Sequence, residues 1–456
     1  MGLAFFPRGG SAHVARSLAA ALPRHGWDVT LVSGSISLPG APGDADEFFA
    51  GLDVRPLDMT AALSAPDPMA ADPPLHPSYE DRPGAPDRVF CALDDDAADN
   101  QVDAWARALA SARAVEADVL HLHHLTPQHE AAALVAPHVP VVGHLHGTEL
   151  LMLEAIEAGT HNWPYADAWA VRMRAWAERC AALIVLSPSQ VERAEGLLGI
   201  DPDRCVLIPN GFDPATFDSR PVDRLAHWRR HLVEAPGGWA PGLPAGSVAY
   251  GEADLEAFAD DAPVLLYVGR FTAVKRLPVL IEAYARARAG FSRRAPLVLL
   301  GGFPGEWEDE HPADTIARLG VPDVFLTGWH GHDRLPAFLN AADVVVLPSV
   351  REQFGQVLVE GMACGLPAIA VDAHGPADIV EHGRTGWLVE PDDVVGLANA
   401  LVEAVNRPAE RARRAAAARE TARARWAWPA LAARVADVYA AARAPHAPRR
   451  RLATRP

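Results

Sequence analysis

Two glutamates, Glu352 and Glu360, have the residue type and spacing best suited to chemistry. Glu352 lies in a glycine-containing loop after a buried strand, and Glu360 lies in the helix predicted to begin near residue 356. Both carboxylates can therefore reach one elongated ligand, and their oxygens suit groups that donate in pairs, such as sugar and ribose hydroxyls. The start of that helix adds backbone N–H groups that favour an anion. The same pattern also fits two surface glutamates that the helix dipole favours.

Two cations form a second candidate set. Arg270 and Lys275 follow the predicted strand 264–268, and Lys275 is the only lysine in the chain. Ligands of α/β proteins bind just beyond the carboxyl ends of the strands, which is where these side chains fall. There they would neutralise a diphosphate and stabilise its charge as it leaves. On spacing alone, such a pair is more often part of a solvated surface.

In the first half of the chain, a glycine loop and a histidine occupy comparable positions. Gly9 and Gly10 link a strand to a helix, so the backbone can approach a ligand closely and the helix start favours phosphate. His146 follows the predicted strand 139–143, although a single histidine there is more often structural. The sequence contains no GxGxxG and no Walker A pattern, which argues against a dehydrogenase or a P-loop nucleotidase.

Short apolar runs alternate with helical patterns, which is typical of parallel α/β sheets. Strands are predicted at 3–6, 28–32, 118–122, 139–143, 182–186 and 205–208, and again at 264–268, 297–300, 324–327, 344–347, 368–371 and 387–389. Two such sets in succession predict two doubly wound domains.

The predicted domain limits follow from these sets. We expect an N-terminal domain over 1–212, a C-terminal domain over 213–427, a helix at about 428–443 that returns to the first domain, and a disordered tail over 444–456. Residues 64–87 are predicted to form a long surface loop, because they are rich in proline and acidic residues and lack an apolar period. Residues 234–261 are predicted to be an insertion.

Composition limits the class of protein. The 456 residues include 41 cations and 58 anions, a formal net charge of −17, which disfavours nucleic-acid binding. The four cysteines are widely spaced, so a reducing cytoplasm is expected. The sequence has no apolar run of about 18 residues, so no transmembrane segment is predicted. A peripheral membrane location is an alternative, since the arginine-rich helix around 411–425 could lie on anionic lipid, although so acidic a protein favours a solvated helix.

The segment from Pro348 to Pro367 resembles the E-x7-E signature of family 4 of the retaining glycosyltransferases, including the flanking Pro-Ser, Phe-Gly and Met-Ala-Cys-Gly-Leu-Pro. The segment from Gly269 to Lys275 matches the family's G-R-x4-K pattern without gaps. The first glycine loop and the His-Gly-Thr at His146 resemble further family segments. The resemblance implies the GT-B fold, in which two Rossmann-like domains face each other with the donor in the cleft between them.

The resemblance also implies roles. The first glutamate contacts hydroxyls of the donor sugar and the second contacts the nucleotide ribose. The implied catalytic residues are Glu352, His146, Arg270 and Lys275, and the implied donor-binding residues are Gly9, Gly10, Arg270, Lys275, Glu352, Phe354, Gly355 and Glu360. The implied reaction moves a hexosyl-type sugar from a UDP- or GDP-linked donor to a hydroxyl of a small-molecule, glycan or lipid acceptor, with retention of configuration. The resemblance further implies that the leaving phosphate helps to deprotonate the incoming hydroxyl and that neither a metal nor another cofactor is required.

Other interpretations stay open at this point. The cluster His121, His123 and His124 is compatible with metal ligation, but the resemblance supplies a site without metal, so metal is not the leading interpretation. A sugar-nucleotide epimerase on the same fold would isomerise the donor without an acceptor. A glycan phosphorylase would need pyridoxal phosphate on a lysine, and Lys275 already has a role. A non-catalytic nucleotide-sugar-binding protein would release no nucleotide when acceptor is added.

Overall fold

The computed structural model describes residues 1–7, 9–38, 43–81, 85–259 and 262–444. The chain divides into two compact units. Unit 1 comprises Met1–Asn210 together with the C-terminal segment that begins at Trp428, and unit 2 comprises Gly211–Ala427. Beyond its first residue, the tail predicted over 444–456 lies outside the described residues.

Unit 1 is built on one parallel sheet. Its strands are β1 (Gly2–Leu3), β2 (Thr30–Ser35), β3 (Asp53–Asp58), β4 (Leu120–His123), β5 (Val141–His144), β6 (Ala182–Val185) and β7 (Cys205–Leu207). Its helices are α1 (Gly10–Ala21), α2 (Ala45–Phe48), α3 (Asp95–Ser111), α4 (Gln128–Val135), α5 (Thr148–Glu157), α6 (Ala166–Arg179) and α7 (Pro188–Leu198). The strand order is β3-β2-β1-β4-β5-β6-β7, so the winding reverses between β1 and β4. Such a reversal is where α/β sheets bind ligands.

Unit 2 repeats this plan with six parallel strands. They are β8 (Leu265–Gly269), β9 (Leu297–Gly301), β10 (Val324–Gly328), β11 (Val344–Leu347), β12 (Ala368–Val371) and β13 (Gly386–Val389). Its helices are α8 (Arg224–Arg229), α9 (Leu277–Ala287), α10 (Pro312–Leu319), α11 (Leu335–Asn340), α12 (Gln356–Ala363), α13 (His374–Ile379), α14 (Val394–Asn406) and α15 (Pro408–Arg425). The order is β10-β9-β8-β11-β12-β13, so the reversal falls between β8 and β11. Strands such as β11 are buried on both faces, which explains their continuous apolar sequence.

The last described helix, α16 (Trp428–Arg443), packs on unit 1. Its apolar side chains, among them Leu431 and Val435, join one core cluster with Val14 and Leu18 of α1. The Tyr439 hydroxyl also lies 2.5 Å from His121 Nδ1 of β4. The helix therefore covers the sheet face of β4 and β5.

The expectation of an α/β chain with two parallel, doubly wound sheets is confirmed. One strand, β3, was not expected, because its residues are mostly exposed and show no apolar alternation. It pairs with β2 at the edge of the sheet, where a proline such as Pro56 is tolerated because one side of the strand has no partner strand.

The segment predicted as a surface loop over 64–87 is instead packed against unit 1, apart from residues 82–84, which lie outside the described part. Met69, Leu75 and Tyr79 are buried, and the Tyr79 hydroxyl donates a hydrogen bond to the Leu125 carbonyl at 2.5 Å. Its apolar residues are irregularly spaced among prolines, so they produce no periodic signal. Met69, Leu75 and Tyr79 are nevertheless part of the core.

The insertion before β8 packs on the carboxyl ends of β9 and β10. Trp239 is buried, and its Nε1 donates to the Gly302 carbonyl at 3.0 Å. Gly328 has a φ of +73°, and a Cβ there would lie 1.9 Å from the Gly237 carbonyl oxygen. Only glycine fits at this contact. Residues 260 and 261 of the predicted insertion lie outside the described part.

Among the described residues, no helix has both the length and the apolar character needed to cross a membrane. The arginines of α15 are largely engaged within unit 2. Arg419 and Arg423 both pair with Asp218, at 2.6 and 2.7 Å, and Arg414 pairs with Glu410 at 2.7 Å. These pairs reduce the positive charge that the helix could offer to anionic lipid.

Candidate active site

The candidate site of unit 2 lies at the reversal between β8 and β11. These strands pair directly, with Val344 opposite Leu265 and Val345 opposite Leu266. Their carboxyl ends lead into the loop that carries Arg270 and Lys275 and into the loop that carries Glu352. Because both strands are parallel and adjacent, the two loops emerge side by side.

Backbone contacts hold the two loops together. The Val274 carbonyl accepts hydrogen bonds from Val350 N at 3.0 Å and from Ser349 Oγ at 3.2 Å. Lys275 ends the short 3-10 turn Ala273–Lys275 that follows. Its position is therefore set relative to the loop after β11, not only to its own strand.

Lys275 and Glu352 form a hydrogen-bonded ion pair between Nζ and Oε2. Each side chain is 20% exposed, so the pair is neither on the open surface nor enclosed in the core. The structure thus brings together two residues that the sequence placed 77 positions apart. A partly desolvated pair of this kind is sensitive to a third charge, because screening by water is incomplete.

Arg270 is positioned by its backbone. The buried Tyr267 hydroxyl donates to the Arg270 carbonyl at 2.7 Å, and burial raises the pKa of that phenol well above its ordinary value. The hydroxyl therefore stays protonated and keeps donating. Arg270 itself is exposed, directly after the end of β8. Its backbone is thus fixed at the same end of the strand from which the loop to Lys275 departs.

Glu360 is the most buried of the predicted acidic residues, with 3% exposure. Its Oε1 accepts hydrogen bonds from His332 Nε2 at 2.8 Å and from Gln356 Nε2 at 3.1 Å. Gln356 Nε2 also donates to the Gly211 carbonyl at 2.7 Å. Two donors thus fix one oxygen of the Glu360 carboxylate.

Sequence reasoning missed His332 and Gln356. The signal for Gln356 was its place one helical turn before Glu360, since side chains four apart face each other on a helix. His332 comes from the loop after β10, and nothing in the sequence relates that loop to α12. The neighbouring His330 packs against Phe338, with ring centroids 4.7 Å apart.

We expect His332→Ala to raise the KM for the donor about tenfold while kcat changes less than about threefold, because a hydrogen bond to a charged group contributes about 1.5–3 kcal/mol. Steady-state kinetics with the donor as varied substrate measures this. His382→Ala, at an exposed histidine of the same unit, is the matched control. An unchanged KM in His332→Ala would show that the Glu360 carboxylate needs no such anchor.

The loop around Phe354 and Gly355 depends on a close backbone approach. Gly355 precedes α12 with a φ of +96°, and Phe354 is buried. Gly375 N donates to the Glu352 carbonyl at 3.1 Å, and a Cβ on Gly375 would lie 2.4 Å from Phe354 Cα. The loop after β11 is thus held against the start of α13.

Gly375→Ala is therefore expected to displace this loop, lowering the free energy of unfolding by about 1–3 kcal/mol through overpacking and weakening donor binding with it. Thermal unfolding with and without nucleotide measures both effects. Gly383→Ala is the control for the residue type, because a Cβ added there would meet no atom within 4 Å, although its φ of +77° carries its own strain. Wild-type nucleotide response in Gly375→Ala would contradict the assigned role of the contact.

The predicted residues of unit 1 lie at the carboxyl edge of its sheet. Gly9 caps the start of α1, and Gly9 and Gly10 are exposed, with room for a Cβ at both positions. His146 follows β5, and its Nε2 lies 2.9 Å from His123 Nδ1. Burial, followed by repulsion from His124 and other histidines, lowers the pKa of His146 well below its ordinary value. His146 is therefore neutral near pH 7.

A buried carboxylate fixes the backbone at His146. Glu149 is fully buried, and its Oε1 accepts from His146 N at 2.9 Å. Burial raises the pKa of this carboxyl, but the nearby His124 and the backbone donors outweigh burial and lower it overall. The ionised Glu149 thus holds the His-Gly-Thr turn, in which Gly147 has a φ of +95°.

Comparison with known proteins finds matches along most of the chain. Residues 8–216 match the family model described as Glycosyltransferase Family 4, and residues 254–421 match the model described as Glycosyl transferases group 1. Solved structures similar in fold include sucrose-phosphate synthase from Thermosynechococcus elongatus, with a TM-score of 0.68, 20% identity and coverage of 96% of this chain and 98% of that one. Another is Anabaena HepE in complex with UDP and glucose, with a TM-score of 0.65, 18% identity and coverage of 96% and 98%.

Curated relatives are more similar in sequence. The D-inositol 3-phosphate glycosyltransferase of Stackebrandtia nassauensis is 34% identical over 321 residues, which are 68% of this chain and 65% of the relative. The D-inositol 3-phosphate glycosyltransferase 2 of Catenulispora acidiphila is 32% identical over 332 residues, 71% of this chain and 70% of the relative. The resemblance first seen in the Glu352–Glu360 segment is thereby confirmed, and the chain belongs to family 4 of the glycosyltransferases.

Proposed function

We propose that this chain transfers a glycosyl unit from a nucleoside-diphosphate sugar to a hydroxyl acceptor, with retention of configuration and with no divalent cation on the diphosphate. The observation that carries the proposal is the ion pair of Lys275 and Glu352 at the β8–β11 reversal of unit 2. This pair supports the proposal because it sets a cation suited to a diphosphate beside a carboxylate suited to sugar hydroxyls.

The donor is proposed to lie along unit 2 in a definite order. The fixed carboxylate of Glu360 binds the ribose hydroxyls, and Arg270 and Lys275 bind the diphosphate. Glu352 binds hydroxyls of the sugar, which the backbone at Phe354 and Gly355 also faces. The burial of Glu360 favours this assignment, because a buried carboxylate oxygen needs donors and ribose offers two hydroxyls.

Residues of unit 1 complete the proposal. His146 and the loop of Gly9 and Gly10 are assigned to the sugar and the acceptor. A neutral imidazole can donate one hydrogen bond and accept another, so His146 is suited to a sugar hydroxyl and not to a phosphate. Whether His146 binds only or also assists chemistry is separable by kcat and KM in His146→Ala.

In the proposed chemistry, the bond between the sugar C1 and the diphosphate oxygen breaks as the acceptor oxygen bonds to C1 on the same face. The acceptor proton passes to the departing phosphate oxygen. Arg270 and Lys275 stabilise the charge that develops on that oxygen, the task that a divalent cation performs elsewhere. No protein nucleophile is needed in this scheme.

The names of similar proteins suggest substrates to test first. HepE of Anabaena is described in complex with UDP and glucose, and several relatives are named D-inositol 3-phosphate glycosyltransferases. We therefore propose a UDP-sugar as the first donor, with GDP-sugars second, and a polyol or its phosphate as the first acceptor.

The test is a panel of UDP-, GDP-, ADP- and TDP-sugars, measured by thermal shift and by donor hydrolysis with and without chelator. One nucleotide should stabilise the protein, and the chelator should leave hydrolysis unchanged. A response to none of the donors would contradict the proposal. NMR of the product's anomeric proton then decides between retention and inversion.

The same assay separates the alternative functions. A sugar-nucleotide epimerase would convert the donor into an isomer in the absence of acceptor. A binding protein without activity would show the thermal shift but release no nucleotide at any acceptor concentration. Acceptor-dependent release of the nucleoside diphosphate is expected only for the transferase.

A further inference from the structure

Three buried histidines lie together on one face of the unit 1 sheet. His121 and His123 belong to β4 and His144 to β5, and the strand register sets His123 beside His144. Alternate residues of a strand share a face, so His121 points the same way as His123. Their exposures are 2%, 0% and 1%, and each offers a ring nitrogen within 4.8 Å of those of the other two.

The nitrogen atoms of this cluster are incompletely paired. His121 Nδ1 lies 2.5 Å from the Tyr439 hydroxyl, and His123 Nδ1 lies 2.9 Å from His146 Nε2. Among the described residues, His123 Nε2 and His144 Nε2 have no hydrogen-bond partner. An unpaired polar atom at such depth is costly, so its presence calls for an explanation.

The pattern is that of metal-binding histidines. In such sites one ring nitrogen is held by a neighbouring polar group, which fixes the ring, and the other nitrogen binds the ion. Here Tyr439 contacts Nδ1 of His121 and His146 contacts Nδ1 of His123, so Nε2 is the atom with which each ring would bind an ion. His121 Nε2 lies 3.2 Å from His144 Nδ1, and an ion bound by both rings would replace this contact.

We propose that His121, His123 and His144 bind one divalent transition-metal ion of the zinc type. Three imidazoles suit Zn²⁺ or Co²⁺ and are poor ligands for Mg²⁺ or Ca²⁺. Bonds of 2.0–2.1 Å in a tetrahedral site place the nitrogens about 3.4 Å apart, so the present separations of up to 4.8 Å must close by up to about 1.4 Å. Burial keeps the three imidazoles neutral, which is the state that binds a metal.

The proposed ion is structural and separate from the transfer chemistry. It ties β4 to β5 and, through Tyr439, to α16, and it fixes the His123 ring that contacts His146. The proposal does not rest on the proposed function, because the diphosphate is there assigned to Arg270 and Lys275. A fully buried cage exchanges its ion slowly, so loading is expected during folding.

The test is metal content per chain, measured by mass spectrometry on full-length protein purified without a histidine tag. Cells grown with Zn²⁺ or Co²⁺ are expected to yield one bound ion per chain that survives dialysis against chelator. His144→Gln should lose this ion. His129→Gln, at a buried histidine bonded to the His124 carbonyl, and His231→Gln, in a histidine group of unit 2, should retain it.

Two results would overturn the proposal. One is wild-type protein with less than a tenth of an ion per chain in both media. The other is a His144→Gln protein that keeps the ion. If His144→Gln does not fold, the visible spectrum of the Co²⁺-grown wild type decides, since tetrahedral nitrogen ligation gives intense bands and its absence refutes the site.

Discussion

Lys275→Ala is expected to lower kcat/KM about 10²–10³-fold, the usual effect of removing a charge that stabilises a leaving group. The reason lies in its partner. Glu352 is only 20% exposed and is paired with this ammonium. Without Lys275 the carboxylate remains charged and repels the diphosphate, so binding and catalysis are both expected to fall. The thermal shift caused by nucleotide should disappear in the same variant.

A double variant tests whether repulsion by Glu352 causes the loss of nucleotide binding in Lys275→Ala. In Lys275→Ala/Glu352→Gln a neutral amide replaces the repelling carboxylate. Nucleotide binding should therefore recover relative to Lys275→Ala, while transfer stays low. Arg318→Ala removes an exposed cation of the same unit that pairs with Glu310 at 2.7 Å, and it should behave as the wild type. Nucleotide affinity in Lys275→Ala equal to wild type would place the diphosphate elsewhere.

Glu352→Gln is expected to lower kcat about 10²-fold and to leave nucleotide affinity unchanged or higher. Glutamine keeps the shape of the side chain but no longer offers a carboxylate to the sugar hydroxyls. It also frees the Lys275 ammonium for the diphosphate, which favours the bare nucleotide. Isothermal titration with UDP and steady-state transfer rates measure the two quantities separately.

The two variants therefore have opposite signatures on binding. Glu390→Gln, at an exposed glutamate after β13, is the control for an unrelated loss of charge. Equal losses of nucleotide affinity in Glu352→Gln and Lys275→Ala would mean that the pair acts only as a structural contact, and the assignment of Glu352 to the sugar would fail.

Most strands of the two sheets could be predicted from the sequence. The strands of both units were predicted from apolar runs because a parallel sheet buries both faces and requires such runs. Strand β3 was missed, since an edge strand escapes this requirement. The packing of the described part of residues 64–87 was also missed, because irregular segments reach the core through single side chains that leave no period in the sequence.

The candidate site was predictable to a similar degree. The two glutamates, Arg270 and Lys275 stand in local segments with recognisable spacing, and unit 2 carries all four. His332 was not predictable, because its contact with Glu360 joins the end of β10 to α12 across the unit. Packing, and not distance along the chain, decides which side chains donate hydrogen bonds to a buried carboxylate.

The sequence by itself thus determined the fold class, the order of the strands along the chain and the family, because these depend on local pattern and on short motifs. Only the tertiary structure decided which charges meet. The pairing of Lys275 with Glu352 and the grouping of His121, His123 and His144 both arise from the order of strands in a sheet. That order places neighbours in space which lie far apart in sequence, and no local property of either partner specifies it.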